Sequence, residues 1–101
     1  MKHKEPRYKM LECSIDNEKY RTDTSTLLAY DEENSRFLFR AINSYYFVQN
    51  DKDGVINLLP ALEAEKLWHQ LPVKHVKDIV AAFPMMHGGI GMDTYTNLYD
   101  D

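Results

Sequence analysis

The sequence lacks the features typical of secreted, disulfide-stabilised or membrane-spanning proteins. Its 101 residues include a single cysteine, Cys13, which cannot form a disulfide within the chain and therefore favours a reducing compartment. No run approaches the roughly 18 apolar residues of a membrane span. The basic start, MKHKEPRYK, leads into no apolar run of signal-peptide length. We therefore expect a soluble, cytoplasmic protein that makes no membrane contact.

Basic residues are scarce outside the N-terminus. Residues 1–9 carry four bases and one acid, residues 10–65 carry eleven acids and five bases, and residues 84–101 carry three aspartates and no base. An acidic body repels phosphate groups, so we expect no direct binding of nucleic acid. It suits a basic protein partner, such as one that itself handles nucleic acid. Ordinary solubilising charge is the alternative explanation.

Apolar residues are plentiful enough for one modest core, with a hydrophobic fraction of 44% that includes seven tyrosines and four phenylalanines. Up to Leu58, short alternating runs are separated by polar turns, which predicts strands. Alternation places Phe37 and Phe39 on one face of a strand and Leu38 on the other. A sheet with apolar groups on both faces is covered on both sides, and the helices that follow are the expected cover.

The apolar period changes after Pro60 to the spacing of helices. A first helix is predicted from Pro60 to Pro72, and a second from Val73 to Phe83. The predicted fold class is therefore α+β: an antiparallel meander of about five or six short strands, followed by two C-terminal helices packed on one face. Trp68 is expected to lie in the helix–sheet core with Phe37 or Phe39 and Phe47.

Residues 85–101 differ in composition from the rest of the chain. Their sequence, MMHGGIGMDTYTNLYDD, combines glycine, methionine and tyrosine without a helical or strand period. Glycine raises the entropy cost of ordering this stretch, whereas methionine adapts to irregular apolar surfaces. We expect a single domain over 1–84 and a tail over 85–101. The tail is expected to dock on its own sheet or on another chain, and a homodimer through it is one such arrangement.

Two loops invite comparison with ion-binding and phosphate-binding loops. If Gly54 occupied the sixth position of a calcium loop, Gln49 and Pro60 would take the first and twelfth positions, where carboxylates are required. The glycines within residues 87–91 follow a predicted helix and precede no helix. A phosphate loop requires a strand before it and a helix after it. We therefore interpret the two stretches as a turn and a connector.

No constellation for catalysis or metal binding emerges from the remaining residues. Cys13 is predicted to lie in a strand as a core residue, without an adjacent base to activate it. The spacings between three of the histidines match no zinc-binding pattern. These residues are His69, His75 and His87. We expect no catalytic residue, no metal and no cofactor, and therefore no enzyme.

Three short motifs carry a family resemblance. YRTDTS, over residues 20–25, is similar to a Tyr-Asp-Thr-x-Thr-Ala opening. LFRAINSYYFV, over residues 38–48, resembles Leu-Tyr-Arg, a turn and an aromatic strand, with Ser44 where the group has a turn glycine. Residues 56–67 are similar to Ile-Thr-Pro-Leu-Thr followed by acids, alanine and tryptophan. Together the motifs resemble a group of small acidic proteins carried by phages and integrative elements of bacteria.

Some small proteins from such loci are anti-CRISPR inhibitors, so the resemblance implies a mobile-element protein that works by binding in the host cytosol. The expected function is non-enzymatic inhibition or adaptation of a basic, nucleic-acid-handling host protein, such as a CRISPR nuclease. A structural or homo-oligomeric module without an inhibitory role is the alternative. Candidate partner-binding residues are acids predicted in adjacent hairpin turns and tyrosines of the tail, because amphipathic rings beside acids suit interfaces. They are Asp31, Glu32, Glu33, Asp51, Asp53, Tyr95 and Tyr99.

Overall fold

The structure, a computed structural model, describes residues 7–87. Within them, six strands precede the first helix: β1 (Glu12–Ile15), β2 (Glu18–Arg21), β3 (Thr26–Asp31), β4 (Arg36–Arg40), β5 (Tyr46–Asn50) and β6 (Val55–Leu59). A 3₁₀ turn over Thr22–Thr24 links β2 to β3. The chain continues through α1 (Ala61–Gln70), a short strand β7 (Val73–Lys74) and two one-turn helices, α2 (Ile79–Ala82) and α3 (Pro84–His87). The predicted α+β class, with an antiparallel sheet and C-terminal helices, is confirmed.

The strands form two antiparallel sheets. β1 and β2 pair as a separate hairpin, and the other five strands form one sheet in the order β6-β5-β4-β3-β7. Within each sheet, the strands that pair before α1 are joined by hairpin turns, and these turns contain residues that tolerate positive φ. Asp16 and Asn17 join β1 to β2 with φ of 52° and 69°, and Gly54 has φ of 67° before β6. The predicted turns therefore occur where the sequence places them.

Two hydrophobic clusters cover the two faces of the main sheet. The helix-side core lies between the sheet and α1–α3, and the hairpin-side core lies between the sheet and the β1–β2 hairpin. Alternation along β4 and β5 divides their apolar residues between the two cores, as predicted for Leu38 and its neighbours. Buried members of the helix-side core include Leu28, Leu38, Tyr46, Trp68 and Phe83. Buried members of the hairpin-side core include Tyr20, Phe37, Phe39, Phe47 and Ile56.

The predicted partners of Trp68 are wrong. Trp68 is buried as expected, but it packs in the helix-side core, edge-on to Phe83 with ring centroids 6.2 Å apart. Its indole Nε1–H donates to the carbonyl of Val76 at 3.2 Å. Phe37, Phe39 and Phe47 lie on the opposite face of the sheet, because the helices cover the face of Leu38. The β1–β2 hairpin and the segment before it cover the phenylalanines instead.

The predicted helix over Val73–Phe83 is wrong in its first half. There the chain forms β7, which pairs with β3 and gives the backbone of that strand hydrogen-bond partners on its outer side. The helix starts only after Asp78, whose carboxylate accepts the N–H of Val80 at 3.1 Å and caps the first turn. Of the four apolar residues predicted to be buried here, Val76, Ile79 and Phe83 pack on the helix-side core. The fourth, Val80, is exposed.

The first residues of the predicted tail belong to α3. Met86 packs against the helix-side core, and the N–H of His87 donates to the carbonyl of Phe83 at 3.0 Å. The remainder of the predicted tail, with Tyr95 and Tyr99, lies outside the described residues.

Candidate protein-binding site

Two acidic turns lie side by side at one end of the main sheet. The first joins β3 to β4 and contains Glu32 and Glu33, next to Asp31 at the end of β3. The second joins β5 to β6 and contains Asp51 and Asp53. They are neighbours because β4 and β5 pair directly, which brings the start of β4 opposite the end of β5. A backbone hydrogen bond of 2.9 Å, from the N–H of Asp51 to the carbonyl of Ser35, joins the two turns.

Asp31 stabilises its own turn. Its carboxylate accepts the side-chain amide of Asn34 at 2.7 Å and the backbone N–H of Asn34 at 3.3 Å. The side-chain hydrogen bond from Asn34 is the main reason that the pKa of Asp31 lies below its ordinary value, and partial desolvation opposes this shift. The first turn is therefore held in shape by one of the acids predicted to bind a partner.

Glu32 and Asp51 bind the segment that precedes β1. The carboxylate of Glu32 accepts the backbone N–H of Arg7 at 3.2 Å, and that of Asp51 accepts the N–H of Lys9 at 2.9 Å. This segment therefore crosses both acidic turns. The basic character of this segment is visible in the sequence, but its contact with the acidic turns is not, because 42 residues separate Lys9 from Asp51.

Gln49 connects this end of the sheet to the interior of the protein, and it was not among the residues predicted to form the site. Its side chain is buried, and its amide nitrogen donates to the carbonyl of Lys9 at 2.7 Å and to Asp51 Oδ1 at 2.6 Å. Its amide oxygen accepts the hydroxyl of Thr22 at 2.6 Å. Alternation along β5 puts Gln49 on the same face as the buried Phe47. A polar residue at an inward position must be hydrogen-bonded, and this was the feature of the sequence that could have identified Gln49.

Glu33 and Asp53 remain exposed at the tips of the two turns. Within residues 7–87, their carboxylates make no hydrogen bond or ion pair. The same end of the molecule also carries basic residues, from the turns, from the start of β4 and from the bound segment. They are Arg7, Lys9, Arg36 and Lys52. The surface is therefore mixed in charge, and Glu33 and Asp53, whose exposed carboxylates make no polar contact within residues 7–87, are the acids best placed to meet a partner.

Exposed apolar groups lie at the other end of the sheet. The β4–β5 turn exposes Ile42 and Tyr45, and beside it a cavity of about 380 Å³ is lined by Tyr46, Leu59 and Met85 among others. Tyr46 is buried, and this burial raises the pKa of its hydroxyl. Of the adjacent tyrosine pair, only Tyr45 therefore has its ring available to a partner.

Two of the histidines flank one carboxylate. Glu65 Oε2 lies 3.6 Å from His69 Nε2 on α1 and 3.2 Å from His87 Nε2 on α3, so this group links the two helices. His75 is exposed. Across residues 7–87, no three His, Cys, Asp or Glu side chains are arranged to hold a metal ion.

In comparisons with known proteins, no family model, curated protein or solved structure matches the chain. In the part of the chain that the structure describes, no helix is long and apolar enough to cross a membrane.

Proposed function

We propose that the protein is a non-enzymatic binding protein that inhibits or adapts a basic, nucleic-acid-handling protein of its host. The two acidic turns form the contact surface, and Glu33 and Asp53 are its outermost charges. The mobile-element origin implied by the sequence motifs fits this role, because a phage-borne inhibitor acts by occupying a host protein.

The observation that supports this proposal is the fixed geometry of the two turns. The backbone hydrogen bond between Asp51 and Ser35 joins them, and the Asp31–Asn34 pair shapes the first. Turns that are held in place before binding lose little conformational entropy when a partner docks. Two exposed carboxylates on such a support act mainly on the rate of encounter with a basic surface and on the choice of partner.

The test begins with the partner. Affinity-tagged protein is expressed in the bacterial host, co-purifying proteins are identified, and the complex is rebuilt from purified components. Its Kd and the nucleic-acid binding or cleavage activity of the partner are then measured in about 0.15 M salt, where charges more than about 8 Å apart are largely screened.

A double charge reversal, Glu33→Lys with Asp53→Lys, tests the turns. Exposed ion pairs contribute up to about 1 kcal/mol each, so loss of two raises Kd by up to about 30-fold. The matched control, Glu18→Lys with Glu63→Lys, makes the same change in net charge at exposed positions on β2 and α1. It leaves Kd nearly unchanged.

Equal binding and inhibition by the turn variant and the wild type contradict the role of the turns. Failure to find a nucleic-acid-handling partner, or a partner that binds without any change in its activity, contradicts the proposed function as a whole.

A further inference from the structure

The two edges of the main sheet differ in how they are protected. One edge is β7, which has only two residues and includes Lys74. The other is β6, which runs from Val55 to Leu59 and lies at the end of the strand order. Short edges and edge lysines prevent pairing with another chain, whereas a long uncharged edge permits it.

β6 carries none of the usual protection. Its sequence, VINLL, contains no charged residue and no proline, and its pairing with β5 is regular over all five positions, without a bulge. Within residues 7–87, no strand lies on its outer side. Alternate residues therefore direct backbone N–H and C=O groups away from β5, towards an added strand.

We propose that β6 pairs antiparallel with β6 of a second copy of this chain, about a twofold axis at Asn57. In this register, Val55 faces Leu59 of the other copy, Ile56 faces Leu58, and Asn57 faces its own counterpart. The strand is thus self-complementary: apolar side chains meet apolar side chains, and the two central amides can hydrogen-bond.

The register follows from the ends of the strand. A shift of two residues in one direction brings Gly54 into the ladder, and a shift in the other brings in Pro60, which has no N–H to donate. A shift of the register by one residue would pair a side chain from the helix-side face of one copy with a side chain from the hairpin-side face of the other. The register centred on Asn57 uses all five residues of β6 and keeps both copies of α1 on the same face of a continuous ten-stranded sheet.

This pairing is independent of the proposed partner. It uses the backbone and side chains of β6, whereas the proposed partner contacts the tips of the two acidic turns. Because the strands run in opposite directions, the acidic turns of the two copies lie at opposite ends of the seam.

Analytical ultracentrifugation of the full chain over a range of concentrations tests the proposal. The wild type sediments as a dimer, and Asn57→Lys, which places two ammonium groups across the axis, raises the dimer Kd at least tenfold. Ile42→Lys is the control, because it adds the same charge at an exposed position in the β4–β5 turn. It leaves the dimer intact. Thermal melts of both variants establish that they are folded.

A crosslink tests the register. Asn57→Cys in a Cys13→Ser background forms a disulfide-linked dimer under mild oxidation, because residues at the axis face each other, whereas Ile42→Cys in the same background does not. Two outcomes overturn the proposal: a wild type that stays monomeric, or a dimer that persists in Asn57→Lys. A persistent dimer that is lost when residues 88–101 are deleted would place the interface in the C-terminal residues instead.

Discussion

Replacement of Gln49 by leucine removes the polar link between the acidic turns and the interior of the protein. The change keeps the approximate size of the side chain, so it creates no large cavity. It deletes hydrogen bonds to three groups from different parts of the chain: the carbonyl of Lys9, the carboxylate of Asp51 and the hydroxyl of Thr22. We expect a loss of stability without a change of fold.

The magnitude follows from these three bonds. Each neutral hydrogen bond contributes about 1 kcal/mol net, and the bond to the Asp51 carboxylate contributes about 1.5 kcal/mol or more. Burial of the apolar leucine side chain stabilises the fold and offsets part of this loss of free energy. The expected decrease in the free energy of unfolding is therefore about 2–3 kcal/mol. For a domain of this size, it lowers Tm by on the order of 10–20 °C.

A double-mutant cycle with Thr22→Val isolates one of the bonds. Thr22 is buried, and its hydroxyl also accepts the N–H of Leu11 at 3.2 Å. If the 2.6 Å contact between Thr22 and Gln49 stabilises the fold, the two single changes are not additive, and the coupling energy is about 1 kcal/mol. Urea denaturation monitored by the fluorescence of Trp68 gives the four free energies.

A Gln49→Leu protein that melts within about 2 °C of the wild type refutes the stabilising role of Gln49, because a shift that small corresponds to less than about 0.5 kcal/mol. Two changes that add without coupling refute the contribution of the Thr22–Gln49 bond. Tyr45→Leu, at an exposed position in the β4–β5 turn, is the control and leaves Tm nearly unchanged.

Three further predictions test the packing of the core, its division by the sheet and the electrostatics of the first turn. Trp68→Ala lowers the free energy of unfolding by about 3–5 kcal/mol. The milder pair Trp68→Phe and Phe39→Leu is additive within about 0.5 kcal/mol, because the two side chains lie on opposite faces of the sheet. Asn34→Ala raises the pKa of Asp31 towards its ordinary value, as measured by NMR titration of the carboxyl group. Because the folded-state pKa of Asp31 is depressed, its stabilising contribution is present above the ordinary pKa of an aspartate and is lost as the pH falls through the folded value.

Local patterns in the sequence predicted most of the sheet. Period-two alternation and turn residues that tolerate positive φ predicted the strands from β1 to β6. The alternation also predicted that Leu38 lies on the opposite face of β4 from Phe37 and Phe39. These features depend on neighbours in the chain, and a meander has mainly local pairing, so the adjacency of the two acidic turns was also predictable.

The face of the sheet that α1 covers was not predictable in this way. The alternation in β4 offers apolar groups on both sides, Leu38 on one and Phe39 on the other, and either could receive Trp68. The choice depends on where the β1–β2 hairpin packs, which is a long-range contact. The same limit explains the error over Val73–Phe83. Helical spacing of apolar residues was present there, but the unpaired outer side of β3 provided hydrogen bonds for a strand.

The five candidate carboxylates of the turns differ in what their removal does, and this difference makes the proposed function testable. Asp31, Glu32 and Asp51 hold hydrogen bonds within the protein, so changes there alter the shape of the turns as well as their charge. Glu33 and Asp53 are exposed, and changes there alter charge alone. A variant at Glu33 or Asp53 that weakens partner binding at constant Tm therefore reports on the contact itself. Weaker binding in an Asp51 variant, accompanied by a lower Tm, reports on the support that the N-terminal segment and Gln49 give to the turn.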